Sequence, residues 1–245
     1  MTVRGLLHVH STFSYDARNG LDELAAWGER RGLDAILLTE HVNGFDEAKM
    51  DRYVREVDAL AGRRCRLVPG LEFAVKGGFH ILGCNLRRWS PTTDPAGVAR
   101  FIRDHGGIGI LAHPARYRGR WPAGGTLDEL HGIEVWNARY DGRFLPSGHV
   151  VAQSMAVRAT RRTLRFFGGQ DLHEADDHRI VVTEADSTDG LDGFLRALAR
   201  GEFVFGHAPV SLCGVRDPGL ATVPLLKLGH WSYRVARRMR DSLRA

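Results

Sequence analysis

The sequence predicts an α/β domain whose mostly parallel sheet closes into a barrel rather than spreading into an open sheet. Three observations carry this reading. Short apolar runs alternate with amphipathic or polar segments along most of the chain, as in successive βα units. The runs are continuous rather than alternating, which marks strands covered on both faces. Roughly seven of them fall within one domain's length, and neither a G-x-G-x-x-G nor a Walker loop follows the first, so a nucleotide-binding open sheet has no support.

The elements follow in order. Val3–His10 is the first strand. Leu21–Arg31 is a helix, with Leu21, Leu24, Ala25 and Trp27 at helical spacing and Gly32 as its stop. Ala35–Thr39 is a five-residue apolar strand running into Glu40 and His41. Asp46–Ala61 is a second helix with Tyr53, Val54, Val57 and Leu60 on one face, and Arg66–Phe73 a third strand. Lys76-Gly77-Gly78 turns the chain into Phe79–Gly83, which places His80 on a hairpin partner. Pro95–His105 is helical and Ile108–Ala112 a strand ending at His113-Pro114. A short helix at Thr126–Leu130, a strand at Gly132–Trp136, a helix at His149–Thr163 and a strand at Leu164–Gly168 come next, then Asp171 and His173. Leu191–Ala199 is the last helix of the domain and Phe203–Phe205 its last short strand.

The 245 residues can bury a full core, and the 43% apolar and 26% charged fractions are those of an ordinary globular protein. No N-terminal run has secretory character and no stretch approaches the ~18 apolar residues of a membrane span. Cys65, Cys84 and Cys213 are odd in number and in no metal or redox pattern, which reads as reduced thiols in a cytoplasmic protein. The net charge of +5 resides in residues 227–245, where Lys227, Arg234, Arg237, Arg238, Arg240 and Arg244 face only Asp241. Two parts are therefore expected: a barrel domain over 1–226 and a basic amphipathic helix over 227–245.

Histidines and carboxylates recur where strands end: His8 and His10, His41, Glu72, His113, Asp171 and His173, with His80 on the hairpin and Asp16 just after the first strand. Chemistry in α/β barrels gathers at the C-terminal strand ends. In a strand of period two, His8 and His10 point the same way, as two jaws on one ion. Any one of these residues could be an ordinary buried polar group. Together they would oblige a core to satisfy six histidines and three carboxylates, which a metal cluster does at once. Nitrogen and carboxylate donors without sulfur suit Mn²⁺, Zn²⁺ or Fe²⁺. Nine donors exceed one ion's needs, so two or three ions sharing a carboxylate are expected, with Glu72 as the bridge.

His8-Val9-His10-Ser11 through Asp16, Thr39-Glu40-His41, Gly70-Leu71-Glu72, Phe79-His80-Ile81-Leu82-Gly83, Ala112-His113-Pro114 and Asp171-x-His173 resemble, in order, the motifs of the PHP (polymerase and histidinol phosphatase) family. The resemblance covers about residues 5–175. It implies a distorted (β/α)7 TIM-like barrel with a trinuclear site: His8, His10, Glu72 and Asp171 on one metal, Glu72, His80 and His113 on a second, Asp16, His41 and His173 on a third. It also implies phosphoester hydrolysis by attack of a metal-bridging hydroxide, with no protein nucleophile. Ala17, Val42, Gln170 and Leu172 depart from the family's usual residues without removing a donor.

Arg116 and Arg139 each follow a strand-end motif by a few residues, where a guanidinium could grip phosphate oxygens, and Arg118 and Arg120 extend that basic rim. His105, His131, His149, His178, His207 and His230 match no motif position. In the tail, Leu228, Trp231, Val235, Met239 and Leu243 recur at helical spacing. That helix would pack on the barrel or touch anionic lipid or nucleic acid. The expected substrate is a phosphorylated small molecule or a short oligonucleotide, with no obligate protein partner. A nuclease acting on RNA or DNA ends is the alternative within the class. An amidohydrolase-type metal hydrolase and a non-catalytic metal-binding module are the readings outside it.

Overall fold

The computed structural model describes residues 1–123, 125–176, 179–219, 221–229 and 231–232. In chain order the elements are β1 (Thr2–Val9), α1 (Leu21–Arg30), β2 (Ala35–Leu38), β3 (Glu40–His41), α2 (Glu47–Ala59), β4 (Arg66–Val68), β5 (Gly70–Val75), β6 (Phe79–Cys84), α3 (Pro95–Asp104), β7 (Ile108–Leu111), β8 (Gly132–Asn137), α4 (Gly148–Thr160), β9 (Arg165–Gly169), β10 (Val182–Asp186), α5 (Gly190–Arg200), β11 (Val204–His207) and β12 (Val210–Cys213). The helix starts are written in the sequence. Asp46 accepts from Lys49 N at 2.7 Å, and Asp94 accepts from Gly97 N at 2.7 Å with Pro95 opening the helix.

Strands β2 and β3 are one line broken at Thr39, and β4 and β5 one line broken at Pro69. The ladder therefore runs β1, β2/β3, β4/β5, β6, β7, β8, β9. The chain just past β9 returns to β1: Gln170 N donates to Leu7 O (2.9 Å), Leu172 N to His8 O (3.1 Å) and His10 N to Leu172 O (2.8 Å). The lower part of the same β1 edge is taken by β10, antiparallel from Thr2 opposite Asp186 to Leu6 opposite Val182, with β11 and β12 beyond. One strand edge thus serves two partners, and this is the distortion in a seven-stranded barrel. Strands β2, β7 and β8 are buried along their whole lengths, and β2 and β7 carry only apolar residues and glycine. Burying each Leu, Ile or Phe there contributes about 1.5–3 kcal/mol.

The structure differs from the expectation at several elements. Strand β6 is antiparallel to both neighbours, and the β10–β12 extension is antiparallel too, so the sheet is less parallel than the βα alternation suggests. Strands β10 and β12 are additional. Val182–Asp186 carries Thr183, Glu184 and Asp186 and loses burial on the Glu184 and Asp186 side, so it offers no continuous apolar run. The helix expected at Thr126–Leu130 is a single 3₁₀ turn, Thr126–Asp128. Helix α4 ends at Thr160, where Arg161 leaves helical geometry at φ −132°.

Residues 222–229 are helical. Leu226 is buried and the backbone of Lys227 lies against Gly148, so this segment docks on the start of α4. Leu228 and Trp231 are exposed. The remaining members of the expected tail helix, from Arg234 to Arg244, lie outside the described residues. Among the described residues no helix is long and apolar enough to cross a membrane.

Candidate metal centre

At the C-terminal end of β1 the chain does not stay a regular strand. His8 has φ 63°, and the register with β2 slips between Leu7 and Val9. The period-two argument for His8 and His10 is therefore corrected. A left-handed residue in a bulge, not strand alternation, brings the two rings to 5.3 Å. Two more of the sequence-derived residues, His113 (φ 30°) and Asp171 (φ 53°), are also left-handed. Among the described residues five non-glycine positions have positive φ, so three of them at one site is a concentration of strain at chemistry.

Five of the expected histidines close on Glu72, which sits in β5 with 2% exposure. Its Oε2 lies 3.5 Å from His8 Nε2, 3.4 Å from His10 Nε2 and 3.1 Å from His41 Nδ1. Its Oε1 lies 2.5 Å from His80 Nδ1 and 3.0 Å from His113 Nε2. Asp171 Oδ1 is 3.8 Å from both His8 Nε2 and His10 Nε2. Asp16 reaches His41 Nε2 at 3.4 Å with one oxygen and His173 Nε2 at 3.2 Å with the other. Donor atoms within 4.8 Å of one another group as His8/His10/Glu72, Glu72/His80/His113, His8/His113/Asp171 and His10/His41/His173. Burial is graded. His8, His10, Glu72 and His113 are sealed, whereas His41, His80, His173 and Asp16 form the open rim.

The residues fit a set of cations. His8 Nε2 and His10 Nε2 are buried with no hydrogen-bond partner, although both point at carboxylates. Their tautomers follow from what holds the other nitrogen. His8 Nδ1 lies 2.8 Å from Glu134 Oε1, a carboxylate that can only accept, which leaves the Nε2 lone pair aimed inward. His10 Nδ1 lies 3.2 Å from Ser14 Oγ. The Ser14 hydroxyl donates to Glu40 Oε2 at 2.6 Å and accepts from His41 N at 2.9 Å, so towards His10 it acts as acceptor. His10 Nε2 is then also free to ligate.

The charges point the same way. Burial opposes charge on His8, yet Glu134, Asp171 and Glu72 together raise it well above its ordinary range. Burial lowers His10 well below its range, helped by His8, His41 and His173 against the pull of Glu72. Burial alone would raise the Glu72 carboxyl, but His8 and hydrogen bonds from His113, His41 and His8 hold it well below the usual value. Carboxylates this buried recruit positive charge, and divalent ions would supply it in place of protons.

Sequence reasoning gave no role to Glu134, Glu40, Ser14, Asn137 or Tyr117, although Glu40 and Ser14 lie inside the quoted motifs. Glu134 Oε2 accepts from His113 N (2.7 Å) and from Asn137 Nδ2 (2.9 Å), and the same Asn137 amide reaches Asp171 Oδ2 at 3.3 Å. Glu40 is fully buried and accepts from Ser11 N, Ser11 Oγ and Ser14 Oγ; burial pushes its carboxyl up to about 7 against these bonds. Tyr117 OH accepts from His80 N at 2.7 Å and lies 3.3 Å from His113 Nδ1. Glu134 sits inside the apolar run Gly132–Trp136, where a buried carboxylate was itself a signal, and Glu40 adjoins His41 in the same way.

Both expected arginines reach the rim. Arg116 Nη1 is 3.4 Å from His80 Nε2, and Arg139 Nη1 is 2.7 Å from His173 Nδ1 and 3.7 Å from Asp171 Oδ1. Arg120 lies over Phe79 instead, which narrows the basic rim. Of the histidines outside the motifs, His131 accepts from Gly109 N and His207 lies 2.8 Å from Arg143 O; His178 and His230 lie outside the described residues. A cavity of about 360 Å³ opens beside the cluster between the segments after β8 and β9, with Arg139, Arg143, Asp171 and His173 in its walls.

Residues 7–189 match the family model described as PHP domain. Over 76 residues the chain is 33% identical to the error-prone DNA polymerase of Symbiobacterium thermophilum, covering 31% of this chain and 6% of that protein. Over 129 residues it is 26% identical to the probable histidinol-phosphatase of Thermotoga maritima, covering 45% of this chain and 55% of the relative. The chain thus spans little more than half the length of one of these relatives and a small part of the other. Its fold is similar to that of PsfC from Pseudomonas syringae, with TM-score 0.58, 16% identity, and 96% and 98% of the two chains covered.

Proposed function

The chain belongs to the PHP domain family, and from that premise we propose that it is a metal-dependent phosphoesterase hydrolysing a phosphomonoester or small phosphodiester. Two or three Mn²⁺, Zn²⁺ or Fe²⁺ ions would be held by His8, His10, Asp16, His41, Glu72, His80, His113, Asp171 and His173. The observation that carries this is Glu72. One of its oxygens faces His8 and His10, whose buried Nε2 atoms have no hydrogen-bond partner, and the other faces His80 and His113. A carboxylate so placed can serve two ions. Ions held there would act as Lewis acids and generate the attacking nucleophile from water at neutral pH.

The protein's own groups do the rest. Arg116 and Arg139 lie within reach of the rim histidines and would hold the non-bridging phosphate oxygens. Ser14 and Glu134 keep His10 and His8 in the tautomer that ligates. Oε1 and Oε2 of Glu72 are screened from bulk water by the rings around them. The substrate approaches from the Asp16, His41 and His173 side, where the cluster is open.

A small phosphoester is favoured over a nucleic-acid end because only two arginines of the expected rim approach the cluster among the described residues. An amidohydrolase-type site would need a bridging lysine. Lys49 lies over Phe45, Lys76 sits in the β5–β6 turn and Lys227 packs at Gly148, while both oxygens of Glu72 face histidines. The test is elemental analysis after loading with Mn²⁺ or Zn²⁺, followed by a screen of phosphomonoesters, cyclic phosphates and short oligonucleotides. More than one ion per chain is expected, with turnover of a monoester or cyclic ester that Glu72→Ala abolishes in a folded protein. One ion or fewer, or full activity of that variant, overturns the reading.

A further inference from the structure

Four aromatic side chains are strongly exposed among the described residues: Tyr15, Tyr140, Phe144 and Trp231. Two of them touch the candidate metal ligands. Tyr15, 73% exposed, lies nearly parallel to the His41 ring, with centroids 5.2 Å apart and planes at 27°. Tyr140, 43% exposed, lies 4.9 Å from the His113 ring at 47°. His41 and His113 approach opposite oxygens of Glu72, so each tyrosine packs on a ring that serves a different oxygen of that carboxylate.

Neither ring hangs on a loose segment. The backbone before Tyr15 is tied by Ser11 and Ser14 to the buried Glu40, and Ser14 N also donates to Ser11 O. Tyr140 N and Arg139 N both donate to Asn137 Oδ1, at 3.0 Å each, and the amide of Asn137 is tied to Glu134 and Asp171. A ring that could have been buried, held rigidly in solvent beside a reacting centre, is a surface built for contact. Tyr15 has one face packed flat on an imidazole and the other open, which suits stacking.

Building on the phosphoesterase reading, we propose that Tyr15 and Tyr140 select substrates whose leaving alcohol carries a planar aromatic ring, a nucleobase or an aryl group, by stacking that ring beside the metal cluster. The phosphoryl group would sit at the open rim of the cluster, within reach of Arg116 beside His80 and Arg139 beside His173. The ring would extend over the rim on the side where a tyrosine face is free. Such stacking is sequence-tolerant and is worth about a five- to hundredfold change in affinity.

The test compares adenosine 5′-monophosphate with ribose 5-phosphate, which share the same leaving oxygen and differ only in the base. A second pair, 2-phenylethyl phosphate and 2-cyclohexylethyl phosphate, separates flatness from mere apolarity and a general aryl site from a nucleobase site. The Mn²⁺-loaded full chain is assayed for kcat and KM and, by calorimetry, for binding. The flat member of at least one pair is expected to win by tenfold or more, mainly in KM. That ratio should fall towards one in Tyr15→Leu, Tyr140→Leu or the double variant, and persist in the corresponding Phe variants. Equal handling of both members of both pairs, or a ratio unchanged in the double Leu variant, overturns the proposal and leaves the phosphoesterase reading intact. Absence of hydrolysis of every ester overturns that reading instead, and the binding ratio still decides the stacking.

Discussion

Glu134→Gln separates metal binding from folding. In the native site one carboxylate serves three buried donors: His8 Nδ1 at 2.8 Å, His113 N at 2.7 Å and Asn137 Nδ2 at 2.9 Å. An amide of the same shape has one acceptor. If its oxygen faces His8, its NH₂ meets the His113 and Asn137 donors, and buried donors are left unsatisfied at about 1–3 kcal/mol each. If it turns over, the oxygen serves His113 and Asn137 while the NH₂ faces His8 Nδ1. All hydrogen bonds are then satisfied, but His8 must accept at Nδ1 and carry its proton on Nε2, the atom aimed at Glu72. The second arrangement wins because it leaves nothing unpaired. At alkaline pH, where His8 is neutral and no charged His8–Glu134 pair is lost, the metal-free fold should therefore lose little stability, whereas metal affinity should fall roughly 10- to 100-fold, about 1.4–2.7 kcal/mol. Thermal unfolding in excess chelator measures the first quantity and chelator-competition titration with Zn²⁺ the second. Metal affinity within twofold of the parent in a folded variant refutes the tautomer argument. Glu134→Ala should behave differently, since it abandons all three donors and destabilises the metal-free fold itself.

Ser14→Ala should weaken metal binding about tenfold by releasing His10 Nδ1 and His41 N, whereas Ser11→Ala, which bonds Glu40 but no ligand ring, should cost less; equal metal affinities for the two variants would contradict this. The pH dependence has a definite sign. His8 is raised above its ordinary 6.5, so its charged pairing stabilises the metal-free fold fully below about pH 6.5 and is lost as pH rises through the raised value. Glu72 is depressed below 4.5, so its contribution is present above about pH 4.5 and is lost as pH falls through the depressed value. His10 and His173 are lowered and oppose His8 as pH falls below 6.5, while the rise in Tm on adding Zn²⁺ should grow as pH increases and His8 gives up its proton. A Zn²⁺-induced shift independent of pH between 5.5 and 8 would show that no proton is displaced.

The donors of the site were legible because barrel geometry puts strand ends together, so residues far apart in sequence could be grouped by position alone. His8, His41, Glu72, His113 and Asp171 needed no contact map to be suspected. The same logic was silent on Glu134, Glu40 and Ser14, because a carboxylate or hydroxyl inside an apolar stretch looks alike whether it binds a ligand ring or a backbone amide. The strand period put His8 and His10 on one side, as they are, but for the wrong backbone reason. Propensity and alternation assume regular φ and ψ, and they cannot signal a residue forced left-handed by a bulge.

By itself the chain determined its alternation of strands and helices and the kinds of donor available for metal, since burial pattern and ligand chemistry are local properties of residues. Only the tertiary structure decided how one edge of β1 is shared, its upper part closing the barrel and its lower part carrying β10, because the competing segments, 170–172 and 182–186, lie far from β1 in the sequence. It also decided which nitrogen of His8 and His10 faces the cluster and that Tyr15 and Tyr140 flank it. Those facts depend on who donates to whom in a shared buried space, and no single stretch of sequence contains both partners.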